Sequence, residues 1–139
     1  MNIVIISSDK TLVGGQGVGD AAARHRHYGE FVNRLDIIVY THKKEGLKEF
    51  PISDKVRGFP SNSWSKLMFF FDAVKIFEKI HNDHKCDLVI CQDPFVFGLI
   101  GLWLKNKYGV KLEVNFHGDH WDNSYWLKER PVLNRIFLL

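Results

Sequence analysis

Three runs of consecutive apolar, largely β-branched residues most constrain the fold of this chain: Ile3-Val4-Ile5-Ile6, Ile37-Ile38-Val39-Tyr40 and Leu88-Val89-Ile90-Cys91. None of them alternates apolar with polar side chains. A strand that is apolar at every position is buried on both faces, and such strands belong to parallel sheets covered by helices on either side. The weaker run Lys55 to Phe59 is a candidate further strand, and Lys111 to Phe116 has the β-branched and aromatic content of another.

Helical patterns fill the intervals. After Asp20, residues Tyr28, Phe31, Val32 and Leu35 repeat at i, i+3, i+4, i+7, which predicts one apolar stripe. Between Ser63 and His84, residues Trp64, Leu67, Met68, Phe71 and Val74 predict a second. Asp93 reads as an N-cap with Pro94 as the first helical residue, and Tyr108-Gly109 reads as a helix stop. A last helix is predicted to start near Asn123 to Tyr125 and to be still running at Leu139, where no cap or breaker closes it. Strand and helix therefore alternate, and the predicted class is α/β with a doubly wound parallel sheet. The uncapped end carries the expectation that more protein follows.

A chain of 139 residues is the size of one domain with a core of its own. The formal charge of +3 is too mild to indicate a nucleic-acid partner. Cys86 and Cys91 flank one apolar run at a spacing that suits neither a metal-binding pair nor a disulfide framework, so a reducing cytoplasm is the expected compartment. Met1-Asn2 leads straight into the first strand without the basic region and apolar core of a signal peptide. The longest uncharged apolar stretch, Phe95 to Leu104, is about half of the roughly 20 residues that a membrane span requires.

Between the first strand and the first helix lies Gly14-Gly15-Gln16-Gly17-Val18-Gly19, with four glycines in six positions. Glycines leave backbone N–H groups unobstructed, and a following helix N-terminus adds partial positive charge; together they suit a phosphate. A dinucleotide fingerprint does not fit. The third glycine of Gly15-x-Gly17-x-Gly19 comes one residue early, the glycines start about six residues past the strand, and the second strand ends in Tyr40-Thr41-His42 with no acidic residue for a ribose. No Lys-Ser or Lys-Thr follows, which excludes a P-loop. A flexible surface loop is the alternative. Arg24, one turn into the helix, is placed to reach a phosphate or carboxylate or to lie on a solvated face, whereas Arg26 and His27 read as solvated.

In open α/β sheets ligands bind beyond the carboxyl ends of the strands. Two more such ends carry polar residues: Gln92-Asp93, with Asp9 and Lys10 bordering the same side, and the cluster His117-Gly118-Asp119-His120-Trp121-Asp122. His117, Asp119, His120 and Asp122 as metal ligands would lack a second set elsewhere, so no metal is expected. The cluster instead presents polar groups to a sugar or phosphate, with Gly118 allowing close backbone approach, or caps local backbone. In the second helix, Met68-Phe69-Phe70-Phe71 cannot all face one stripe. The surplus apolar surface, near Lys66 and Lys75, suits core packing plus a contact to another part of the protein, or contact with an anionic membrane.

In order and separation, the segments NIVIISSD, GGQGVGD, DIIVYTHK, CDLVICQDP and KLEVNFHGDHWDN together resemble the N-terminal domain of glycosyltransferase family four, a retaining family of GT-B architecture. The resemblance covers essentially the whole chain and implies a Rossmann-like N-terminal, acceptor-side domain over 1–139 that lacks its last strand and the donor-binding C-terminal domain. It implies transfer of a sugar from a nucleotide-sugar donor to a glycan or lipid-linked acceptor hydroxyl with retention and without a cofactor or metal. The setting would be cytoplasmic, at the inner face of a membrane if the acceptor is lipid-linked. On that resemblance Gly15, Gln16 and Gly17 would lie near the donor diphosphate and His117 would contact the transferred sugar. Asp119 and Asp122 would be acceptor-side residues, and the 139-residue chain alone would lack transfer activity. The competing expectation is a non-catalytic Rossmann-like binding module or accessory subunit.

Overall fold

The computed structural model describes residues 1–15 and 19–116. Strands β1 (Asn2–Ser7), β2 (Arg34–Val39), β3 (Phe50–Pro51), β4 (Val56–Pro60), β5 (Leu88–Cys91) and β6 (Lys111–Val114) form one sheet in the order β3-β4-β2-β1-β5-β6. Every pairing is parallel except that of β3 with β4. Helices α1 (Asp20–Glu30), α2 (Lys66–Asp83) and α3 (Val96–Tyr108) link β1 to β2, β4 to β5 and β5 to β6. The apolar runs thus form the strands they predict. The two-residue β3, with a proline on the sheet edge where a missing N–H costs nothing, has no such signature.

The sheet is covered on both faces. On one, Val4, Ile6, Ile38, Val89 and Cys91 pack against Phe69, Phe77, Ile100 and Leu104 of α2 and α3. On the other, Ile3, Ile5, Ile37 and Val39 pack against Leu12, Val13 and Ala22. Leaving β1, the chain moves first to β2 and β4 on one side and later to β5 and β6 on the other. The topological switch point therefore lies between β1 and β5. This is an α/β fold with a six-stranded, mostly parallel sheet, compatible with a Rossmann-like arrangement.

Both predicted helical stripes have the wrong phase. Helix α1 ends at Glu30, Leu35 belongs to β2, and Tyr28 and Phe31 are exposed. Its buried face is Ala22, His25 and Gly29, and a Cβ on Gly29 would stand 2.5 Å from Val56 Cγ2. The helix lies too close to the sheet for large side chains, so its inner face carries no hydrophobic signal. At α2 the predicted Trp64, just before the helix, and Leu67, Met68 and Phe71 face outward; Val74 of the same stripe is buried, together with Phe69, Ala73, Phe77 and Ile80. Both sets have helical spacing, but the buried one continues for two more turns along the helix. Helix α3 begins at Val96, two residues later than the Asp93-Pro94 reading, although Asp93 still caps it: Oδ1 accepts from the amides of Phe95 (2.8 Å) and Phe97 (3.3 Å). The stop falls as predicted, with Gly109 in the left-handed conformation at φ 71°. Among the described residues, no helix is long and apolar enough to cross a membrane.

Candidate functional site

The carboxyl ends of the strands carry a network of neutral hydrogen bonds. At the switch point the buried Ser7 hydroxyl donates to Gln92 Oε1 (2.6 Å) and accepts from the Asp9 amide (3.0 Å). Asp9 in turn caps the 3-10 turn Lys10–Leu12, accepting from the Thr11 amide and hydroxyl on Oδ1. Gln92 thus lies just past the carboxyl end of β5, with its amide oxygen committed to Ser7. Lys10 is held away from the strand ends by an ion pair with Glu45 at 2.9 Å, so neither Asp9 nor Lys10 is idle.

The glycine loop leaves this end of the sheet through close packing. Leu12 and Val13 are buried, and the Leu12 carbonyl oxygen lies 2.0 Å from where a Cβ on Gly58 of β4 would be, so only glycine fits there. Gly14 donates to the Lys48 carbonyl (3.2 Å) and packs on Leu47. The segment that receives it is itself anchored, because Asn62 Nδ2 donates to the Leu47 carbonyl (2.8 Å) while the Asn62 amide donates to Thr41 Oγ1 (2.8 Å). Asn62 takes the left-handed conformation at φ 46° to do so. Past this anchor Gly15, at φ 83° with nothing near its Cβ position, opens the loop, and Gly19, at φ 120°, is the N-cap of α1 without a side-chain bond of its own. The first turn of α1 thus presents backbone N–H groups at its start, the arrangement that favours an anion.

Arg24 is exposed and engages no carboxylate among the described residues, so it is available to a ligand. Arg26 donates from Nε to the Ile52 carbonyl (3.3 Å), which makes it structural, and His27 pairs with Glu30 on the surface. His25, between them, was not singled out by sequence reasoning. It is buried, and its Nδ1–H donates to the Ala21 carbonyl at 2.7 Å. Burial pushes its pKa below the ordinary value, and Arg24 adds to the fall, while the Ala21 bond and the charge of Asp9 oppose it. The ring therefore stands neutral near neutral pH, with its other nitrogen unprotonated. The only sequence signal was a histidine one turn inside a helix that follows a glycine loop.

Of the predicted site residues, Gly15 follows the anchor at Gly14, and Arg24 lies exposed in the first half of α1. Gln16, Gly17, His117, Gly118, Asp119 and Asp122 lie outside the described residues. Among the described residues no three His, Cys, Asp or Glu side chains converge as a metal site would require. Cys86 and Cys91 are buried free thiols, pushed up by burial to about 11 and about 12, and so are inert as nucleophiles. No family model matches the chain, and no curated protein matches it. The fold therefore stands on topology and geometry alone: a mostly parallel α/β sheet in which Gly14 is anchored at Lys48 and Gly19 is the N-cap of α1.

Proposed function

We propose that this chain is the acceptor-side, N-terminal domain of a retaining glycosyltransferase that uses a nucleotide-sugar donor. The observation that carries the reading is the glycine loop, which is pinned at Gly14 and opens at Gly15 into the uncapped start of α1 on the carboxyl side of a parallel sheet. Backbone amides there would stabilise negative charge on a leaving diphosphate, with Arg24 adding a charged donor. His117, beyond the last described strand, would orient the transferred sugar, and Asp119 and Asp122 would meet the acceptor. A facing domain would hold most of the nucleotide. Catalysis would then consist of positioning the acceptor hydroxyl and stabilising the departing diphosphate, with no covalent nucleophile and no metal. With a lipid-linked acceptor, the outward residues Trp64, Leu67 and Phe71, beside Lys66 and Lys75, form the surface that would meet the inner face of a membrane.

Saturation-transfer NMR with uridine, guanosine and thymidine diphosphate hexoses tests the reading on the 139-residue chain. The expected result is weak, saturable binding of one donor class. Arg24→Ala reduces it about tenfold, as loss of a charged hydrogen bond does, while the circular dichroism spectrum stays unchanged. Saturation transfer from none of the three would sink the proposal.

A further inference from the structure

At the opposite end of the sheet a carboxylate is buried in the middle of a core strand. Asp36 interrupts Leu35 and Ile37 in β2, and its side chain is 1% exposed. Its Oδ2 meets His84 Nε2 at 2.6 Å, and its Oδ1 accepts from Arg34 Nε at 3.4 Å. A lone buried carboxylate is costly, and here two basic side chains compensate it. The consequence is positional, because Asp36 holds both His84 and Arg34 in fixed orientations.

Both side chains line a cavity of about 350 Å³ between the end of α2 and the amino ends of β2 and β4. Arg57 and Lys79 line it too, so three permanent cations face one lining carboxylate, Asp83, which is largely solvated and lies 3.3 Å from His84 Nδ1. Lys79 is shared with the exposed Glu49 at 3.3 Å. Arg57 has no carboxylate partner among the described residues; its guanidinium only sits 6.0 Å from the Phe59 ring centre. Arg34 commits Nε to Asp36 and makes no other hydrogen bond among the described residues. Two guanidinium groups with unused donors line one cavity, and guanidinium donors suit phosphate oxygens. Phe59 and Ile80 also border it but are buried, so they offer a ligand little surface.

We propose that this cavity binds a phosphate dianion carried on a small phosphomonoester. Arg57 is the principal ligand, Arg34 and Lys79 contribute, and Asp36 is a positioning residue that acts through Arg34 and His84. The site is independent of the glycine loop, which lies at the other end of the strands.

Phenyl phosphate, inorganic phosphate and benzoate, titrated calorimetrically at constant ionic strength, probe the site, with the arginine Nε–H signals followed by NMR. Phenyl phosphate should bind saturably and move the Arg57 and Arg34 signals. Inorganic phosphate should move the same signals, and benzoate should bind about tenfold more weakly or worse. Arg57→Gln should lower phenyl phosphate affinity at least about tenfold without changing the melting temperature in chloride buffer, whereas Lys105→Gln, on the exposed surface of α3, should leave affinity unchanged. Equal binding by Arg57→Gln overturns the proposal, as does loss of binding in Lys105→Gln. Benzoate binding as tightly as phenyl phosphate would overturn the phosphate assignment.

Discussion

At the carboxyl end of the sheet, Ser7, Gln92, Thr41 and Asn62 satisfy one another through neutral hydrogen bonds, whereas at the amino end Arg34, Asp36 and His84 do so through charges. A neutral hydrogen bond is worth about 1 kcal/mol net. Of the charged groups nearby, Lys10 is paired with Glu45 and Asp9 caps the Lys10–Leu12 turn, while Arg24 is exposed. An ionic cluster couples distant elements more tightly: Asp36 belongs to β2, and His84 closes α2, 48 residues along the chain. It fixes the orientation of groups around it, and loss of one partner is correspondingly severe.

The sharpest way to break the contrast is His84→Leu. Removing the ring strands a carboxylate that is 1% exposed with only a 3.4 Å contact to Arg34, which should cost about 3 to 5 kcal/mol of unfolding free energy in urea denaturation. A cost below about 1 kcal/mol would mean that Arg34 alone compensates Asp36, and the ionic description of this end would fail. At the carboxyl end, Ser7→Ala leaves the Gln92 amide oxygen and the Asp9 amide without their shared partner. The expected loss is about 1 to 2 kcal/mol in the same assay. A loss equal to that of His84→Leu would erase the distinction between the two ends.

How much of this was legible beforehand follows from which interactions write themselves into local sequence. Strands β1, β2 and β5 were legible through continuous apolar runs, as burial on both faces demands, whereas β4 and β6, with exposed Arg57, Lys111 and Glu113, were read from weaker patterns. Asp36, inside Leu35-Asp36-Ile37-Ile38, was the one conspicuous violation in such a run. Nothing was read from it in the sequence, because its partner His84 is joined to it only by tertiary structure. For α1 to α3 helix existence was legible and helix facing was not; the last helix predicted from near Asn123 lies outside the described residues. In α2 two apolar stripes overlap, and only packing on the sheet decides that Phe69, Phe77 and Ile80 go inward. In α1 the buried face is small or polar. At the crevice, the spacing of the glycines pointed to Gly15 and the helix start, but not to the anchor at Leu47 and Lys48, which depends on a left-handed Asn62 47 residues beyond Gly15.

Protonation tests both ends at once, with smaller effects. His25 beside the crevice and His81 near the end of α2 both have pKa values lowered chiefly by burial. A lowered histidine is neutral in the folded state while its unfolded counterpart takes up a proton below about 6.5, so stability is full above that pH and declines as pH falls toward the folded value. The thiols act on the other limb. Cys86 and Cys91 ionise at about 11 and about 12 in the fold, against an ordinary 9.0. Their contribution is complete below 9 and declines above it, by on the order of 1 kcal/mol per pH unit for each thiol. Urea midpoints from pH 5 to 10 should therefore form a plateau that falls on both sides. His25→Gln should flatten the acid side, because its ring is the one enclosed at the crevice and hydrogen-bonded within its own helix. If the acid limb is unchanged in that variant, the titrating group belongs to the amino end, with His81 as its candidate, and the charged half of the comparison governs acid stability as well.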